Sequence, residues 1–191
     1  MLHVRNNMKV IGIVSSPRKG GNSQALVEHV LSGAKEAGAD TELVRLCDLE
    51  INPCTACFVC RNEGECVIQD DMTQIYEKLA DADAVIFGAP IYFYRLNAQA
   101  YPFLDRLFAL FKPDFSCRLP EGKKFVVALT CNTCGEEILN PMNEYLKNVF
   151  KMMGFIDAGY IWQNYLLMPG DLSKYPKKIE GARKIGISLV K

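Results

Sequence analysis

Residues 8–23 read "MKVIGIVSSPRKGGNS". The first seven form a short continuous apolar run, as expected of a strand buried on both faces. "SSPRKGGNS" follows as a turn, ending in Asn22 or Ser23 as a helix cap. "SQALVEHVLSGAKEAG" then puts Leu26, Val30 and Ala34 on one helical face, with Gly38 near its stop. A buried strand, a polar turn and an amphipathic helix in that order open a parallel βαβ unit.

The rest of the chain repeats this alternation. Four further strands are predicted at "TELVRL" (41–46), "DAVIFGAP" (83–90), "KKFVVALT" (123–130) and "FIDAGYIWQ" (155–163). A helix is predicted over 70–79, with Asp70 near its cap and Met72, Ile75, Tyr76 and Leu79 on one stripe. Another reaches about Phe111, where Pro102 should kink it or mark its first turn. Ile138, Met142, Tyr145, Val149 and Met153 give a fourth helix its apolar face, and the tail after Pro176 forms a last one. The expected architecture is an open parallel α/β sheet with helices on both faces. No repeat or linker divides it, so residues 1–191 are read as one domain, with a cysteine-rich loop at about 47–69.

Charge narrows the function. The 22 Lys and Arg residues balance the 22 Asp and Glu residues, so no general affinity for nucleic acid or an anionic membrane is expected. No apolar run approaches the roughly 20 residues that span a bilayer. "MLHVRNNMKVIGIVSS" has too short an apolar segment for a signal peptide. A cytoplasmic chain is expected, whose eight cysteines serve metal or redox chemistry more than structural disulfides.

In open α/β sheets, ligands sit outside the carboxyl ends of the strands. Residues 15–23 lie there. Gly20 and Gly21 admit a close backbone approach, Ser15, Ser16, Asn22 and Ser23 offer donors, and Arg18 adds positive charge at a helix N-terminus. These suit a terminal phosphate monoester. The loop lacks both G-x-G-x-x-G and G-x-x-x-x-G-K-[ST], which argues against a Rossmann dinucleotide site and a P-loop nucleotidase.

"SSPRKGGNS" resembles the phosphate loop of flavodoxin-like FMN oxidoreductases, with Ser15 where that family usually has Gly. "GAPIYFYRLNAQAYPFLDR" (88–106) resembles the same family's segment around the isoalloxazine ring, and "DDM" at 70–72 is also usual there. The resemblance implies a five-stranded flavodoxin-like sheet of order 2-1-3-4-5. It implies that Ser16, Arg18, Asn22 and Ser23 hold the FMN phosphate. Pro90, Ile91, Tyr92 and Phe93 would line the ring, with Thr130, Asn132 and Gly135 on its other side.

"CTACFVCRNEGEC" (54–66) carries Cys54, Cys57, Cys60 and Cys66 in a C-x2-C-x2-C-x5-C pattern. A cubane iron–sulfur cluster needs four thiolates on separate corners, and three closely spaced cysteines with a fourth returned by Gly64 supply them. Zinc is an alternative, although overlapping knuckles that share Cys57 are cramped around one small ion. A thiol–disulfide switch or an empty site also remain open. Such a loop between the second strand and second helix of an FMN-binding chain resembles the iron–sulfur flavoproteins. That resemblance implies one 4Fe–4S cluster on these four cysteines, one FMN, and a homodimer or homotetramer in which the two cofactors approach across subunits.

Cys131 and Cys134 form a lone C-x2-C in a separate loop and are read as loop residues without chemical role, a redox disulfide being the alternative. Cys47 and Cys117 read as structural, and His3 and His29 receive no catalytic role. The expected function is electron transfer between a ferredoxin-like donor and small acceptors such as quinone, oxygen or peroxide. The alternatives are an NAD(P)H-dependent FMN or quinone reductase with an empty cysteine loop, and a non-enzymatic flavodoxin-like carrier. No general acid or base is needed from the chain, since the flavin carries the electron chemistry.

Overall fold

The computed structural model describes residues 7–191; His3 lies outside the described residues. The elements run β1 (Lys9–Val14), α1 (Asn22–Glu36), β2 (Asp40–Arg45), α2 (Val59–Glu63), α3 (Met72–Asp81), β3 (Ala84–Tyr92), β4 (Arg95–Leu96), α4 (Ala100–Arg106), β5 (Lys124–Thr130), α5 (Glu136–Met152), β6 (Ile156–Gln163) and α6 (Pro176–Val190). The sheet has the order β2-β1-β3-β5-β6, with every neighbouring pair in that path parallel. This is the flavodoxin-like order.

A sixth strand departs from the five expected. β4 pairs antiparallel with the end of β3, matching Ile91 to Leu96 and Tyr92 to Arg95. The reversal between them is Phe93 and Tyr94, at φ 48° and 62°. Two consecutive left-handed residues make a tight hairpin, a role usually given to Asn-Gly, so the aromatic pair carries no sequence signal for it. β3 accordingly runs two residues past the expected end at Pro90, through Ile91 to Tyr92. Pro102 falls in the first turn of α4, which passes into a 3-10 turn at Leu107–Leu110.

Strand alternation sorts the core into two layers. Ile11, Ile13, Phe87, Phe125 and Val127 face α3, α4 and α5, whose Ile75, Phe103 and Phe150 pack against them. Val10, Val14, Ile86, Val126 and Ala128 face α1 and α6, which contribute Leu26, Val30, Ala182 and Leu189. Phe125 stacks on Phe150 at 5.2 Å and Phe87 on Phe103 at 5.6 Å. The helices therefore cover both faces of the sheet, as a parallel sheet requires.

Missing side chains set how closely α1 approaches. A Cβ on Gly12 would stand 2.5 Å from Val27 Cγ1, and one on Gly88 would overlap Val27 Cγ2. α1 thus lies directly on β1 and β3 at these two glycines. Gly33 and Gly186 do the same between α1 and α6, where an added Cβ would strike the backbone of Arg183 or Val30. α1 starts at Asn22 with Gly21 as its N-cap residue, so the cap expected at Asn22 or Ser23 falls earlier. The reason is that both side chains are committed elsewhere: Asn22 to Met168 and Leu172, and Ser23 to Thr130.

One buried ion pair closes the neck of the cysteine loop. Arg106 and Asp70 side chains are 1% and 2% exposed and meet in a two-pronged pair, Nη1 to Oδ2 at 2.8 Å and Nη2 to Oδ1 at 3.1 Å. Arg106 also donates to the carbonyls of Asn52 (3.0 Å) and Ile68 (3.1 Å), on either side of the four cysteines. Asp70 accepts from the backbone N–H groups of Asn52 (2.8 Å) and Met72 (3.0 Å). Burial pushes the Asp70 carboxyl up, but the guanidinium and the two N–H donors outweigh it and hold it below the usual carboxylate range. Tyr76 donates to the Arg106 carbonyl at 2.8 Å, and burial pushes its phenol up to about 12.

Two measurements test these contacts. Gly88→Ala should lower stability by about 1–3 kcal/mol, since the added methyl must displace Val27 in a packed layer, read as a lower urea midpoint at unchanged slope. Asp70→Ala leaves a buried guanidinium unpaired and should cost about 3–5 kcal/mol. Because the folded Asp70 value is depressed, the pair's contribution is full above the unfolded carboxyl value of about 3.9 and is lost as pH falls through the folded value. Urea midpoints against pH should show that acid limb in the parent chain and not in Asp70→Ala.

Candidate flavin and cysteine sites

β1 ends at Val14, and the chain turns beneath the N-terminus of α1. Ser15 is fully buried. Its N–H donates to the Gly88 carbonyl at 2.9 Å and its Oγ to Asn97 Oδ1 at 2.6 Å, while Asn97 Nδ2 returns a bond to the Ser15 carbonyl at 2.6 Å. The loop is thus locked to β3 and to the start of the α4 segment. Gly20 adopts φ +65°, and a Cβ on Gly21 would crowd Arg18 Cβ and its carbonyl at 3.0 Å.

A pocket of about 210 Å³ opens beside this turn, and Ser16, Arg18, Asn22 and Ser23 all line it. Thr130 lines it too, with its Oγ1 2.5 Å from Ser23 Oγ. Arg18 Nη1 donates to the Leu167 carbonyl at 2.7 Å and Asn22 Nδ2 to the Met168 carbonyl at 2.9 Å. Asn22 Oδ1 accepts from the Leu172 N–H at 3.1 Å. These side chains hold residues 166–172 as the outer wall of the pocket. No carboxylate lines it, so hydroxyls, a guanidinium and a helix N-terminus form a set that suits a phosphate.

A cleft of about 710 Å³ adjoins it through Ile91, Tyr92, Cys131 and Asn132, which line both. This is within the size range of cofactor sites. Phe93 lines the cleft and is 92% exposed, at the tip of the β3–β4 hairpin. Pro90 lines only the smaller pocket. Thr130, expected beside the ring, lines the smaller pocket and not the cleft, because it ends β5 directly opposite Ser23. Gly135 lines neither of these cavities: it is the N-cap residue of α5, and its N–H donates to Glu137 Oε1 at 2.9 Å. Asn97, which joins the loop to the cleft, was missed, since a lone Asn in "RLNAQ" carries no pattern.

The four clustered cysteines line one separate cavity of about 380 Å³, together with Phe58, Ile68, Asp105 and Phe108. Ala56 and Phe58 have φ 53° and 61°, and Gly64 has φ 86°. Left-handed residues interleaved this way form concavities that collect N–H groups around an anion. The Ala56 N–H donates to Cys54 Sγ at 3.4 Å. The Val59 N–H beside Cys57 lowers that thiol below its usual value. Burial pushes the Cys60 thiol up, reinforced by the other three sulfurs. Among the described residues no three Cys, His, Asp or Glu converge tightly enough for one metal ion. All four thiols line this one cavity.

The remaining cysteines divide. Cys47 sits between Arg45 Nη2 (2.9 Å) and the Ser16 carbonyl (3.3 Å), bracing the phosphate loop. Cys117 bridges the chain to Phe111. Cys131 and Cys134 are joined as a disulfide, 5% and 7% exposed, in the cleft wall.

Residues 8–163 match the family model described as NADPH-dependent FMN reductase. An iron-sulfur flavoprotein of Methanocaldococcus jannaschii is 36% identical over 182 residues, covering 94% of each chain. One of Methanosarcina thermophila is 36% identical over 139 residues, 73% of each. Among solved structures, an NAD(P)H:quinone oxidoreductase from Methanothermobacter marburgensis superposes with a TM-score of 0.75 at 20% identity, over 96% of this chain and 97% of that one. The hydroxyl- and guanidinium-lined pocket, the adjoining cleft and the four-cysteine cavity lie on a chain that matches this family along most of its length, and it belongs to the NADPH-dependent FMN reductase family, among the iron–sulfur flavoproteins, as a flavin-dependent oxidoreductase.

Proposed function

We propose that this oxidoreductase passes electrons between a one-electron, ferredoxin-like donor and a small acceptor such as quinone, oxygen or peroxide, using FMN and one 4Fe–4S cluster. The observation that carries the reading is the arrangement of two unlike cavities around α4. Asn97 and Gln99 line the flavin cleft just before this helix, and Asp105 and Phe108 line the four-cysteine cavity at its far end. From Gln99 to Asp105 the helix rises only about 9 Å. FMN can take up two electrons and release them singly, whereas a cluster handles one at a time. A chain that holds both joins one-electron donors to two-electron acceptors.

In this reading Ser16, Arg18, Asn22 and Ser23 hold the phosphate, with Thr130 as a fifth partner. Arg18 supplies the fixed positive charge, and the α1 N-terminus adds its partial charge. Ile91, Tyr92 and Phe93 wall the ring on one side and Asn132 on the other. Cys54, Cys57, Cys60 and Cys66 ligate the cluster, and the Ala56 and Val59 N–H groups stabilise the charge on its sulfurs. Exposed Phe58, Phe93, Tyr94, Tyr165, Leu167 and Met168 give an apolar rim that fits a homodimer or homotetramer interface. Among the described residues, no helix is long and apolar enough to cross a membrane, and we place the chain in the cytoplasm.

Protein purified without air should contain roughly four iron and four acid-labile sulfides per chain, matching four thiolate ligands. Cys60→Ala should lose most of that iron and keep FMN by absorbance; stoichiometric zinc without sulfide would sink the cluster assignment. Stopped-flow mixing checks the donor. Flavin bleaching should be fast with reduced ferredoxin and at least about tenfold slower with NAD(P)H, a gap of about 1.4 kcal/mol in barrier. The reverse order would make the chain an NAD(P)H-dependent reductase.

A further inference from the structure

Cys131 and Cys134 have no part in the phosphate pocket's donor set or in the four-cysteine cavity, yet they are the sulfurs set in the wall of the flavin cleft. Cys131 follows directly on β5, and Cys134 immediately precedes the N-cap residue of α5. Their Cα atoms stand 6.1 Å apart, within the span a disulfide bridges, and the two sulfurs are joined.

The backbone that carries them is braced from outside. The Cys131 N–H donates to the Gln163 carbonyl at 3.1 Å, and its own carbonyl accepts from Leu166 at 3.1 Å. The Asn132 carbonyl accepts from Tyr165 at 2.7 Å. With its first two residues bonded to the end of β6 and the segment after it, the loop keeps the cysteines together whichever redox state they are in. When the pair is reduced, the Cys131 thiol has an acceptor ready, the Cys134 carbonyl oxygen at 2.9 Å.

Exposure decides the partner. At 5% and 7% the sulfurs are largely closed to bulky soluble thiols, and both line the cleft that also borders Ile91, Tyr92 and Asn132. A group lying in that cleft reaches them first. We propose that Cys131 and Cys134 form a redox-active pair that exchanges two electrons with the flavin, an inference that rests on the FMN reading of the cleft. In the forward step the disulfide takes up two electrons and two protons, its S–S bond breaks, and two thiols form. The electrons and one proton come from the reduced isoalloxazine, which is left oxidised. The second proton comes from solvent at the open cleft. The pair stores two electrons beside the flavin, in addition to those held by the flavin itself.

The test reads sulfur, not turnover. Tryptic peptide 125–147 contains Cys131 and Cys134 and no other cysteine. FMN-loaded protein is photoreduced with EDTA under argon, freed of excess flavin beforehand, then alkylated and mapped by mass spectrometry. The same protein kept oxidised and FMN-free protein under the same light serve as controls. Doubly alkylated peptide is expected only after photoreduction of the loaded chain. A Cys131→Ser, Cys134→Ser double variant, compared at equal FMN content, should take up two fewer electron equivalents per chain in anaerobic dithionite titration. Alkylation of both cysteines in every state, or an intact disulfide beside fully bleached flavin, would overturn the proposal. Failure to retain FMN, seen as absent flavin absorbance, would instead overturn the FMN reading, and the flavin exchange with it.

Discussion

The contact on which the site depends is the crossing of α1 over β1 and β3 at Gly12 and Gly88. Without side chains at these two positions, Val27 rests on the strand backbones. The helix N-terminus is thereby held at the carboxyl ends of the two central strands, where a parallel sheet gathers its ligand. Its partial positive charge acts within the first turn only, so a displacement of a few ångströms would take it out of use. The buried Ser15–Asn97 exchange then fixes the loop against the segment that starts α4. Helix packing, loop conformation and cleft shape form one mechanical unit.

Arg106 extends that unit to the cysteines. It lies on the same helix whose approach lines the cleft, and it grips both sides of the cysteine loop at Asn52 and Ile68. A buried ion pair is seldom the most stabilising choice for a core, because desolvation opposes the Coulomb gain. Its value here is directional. The planar guanidinium satisfies Asp70 and two carbonyls at once, and few apolar packings could hold two chain segments at one spacing. The loop beyond this neck carries left-handed Ala56 and Phe58, whose strain the clamp helps to sustain.

Much of this was legible in the sequence because its causes are local. The apolar run 8–14, the glycines at 20–21 and the four cysteines each act on neighbours a few residues away. What escaped is long-range. Asn97 reaches Ser15 across 82 positions, and Arg18 reaches Leu167 across 149. Neither partner advertises the other. The β3–β4 hairpin escaped because aromatic residues occupy a turn that ordinarily takes Asn-Gly. Thr130 was assigned to the ring and lines the smaller pocket, since a position at a strand end does not reveal which of two adjoining cavities its side chain enters. Gly135 lies outside both because its N–H is used to begin α5.

The C-x2-C spacings in the two loops show why pattern alone could not settle the sulfur chemistry. Cys54 and Cys57 are exposed free thiols that line a shared cavity. Cys131 and Cys134 have the same spacing on a backbone whose first two residues are bonded to the chain around β6, and their sulfurs are joined. Where the backbone is braced, the sulfurs have each other as partners and little freedom to gather around a third body. The four-cysteine loop is held instead through Arg61, which donates to the Pro113 carbonyl and whose own carbonyl accepts from Arg118 at 2.9 Å, and these contacts leave its thiols unjoined. The difference lies in which hydrogen bonds hold the intervening residues, and those bonds come from parts of the chain that neither motif contains.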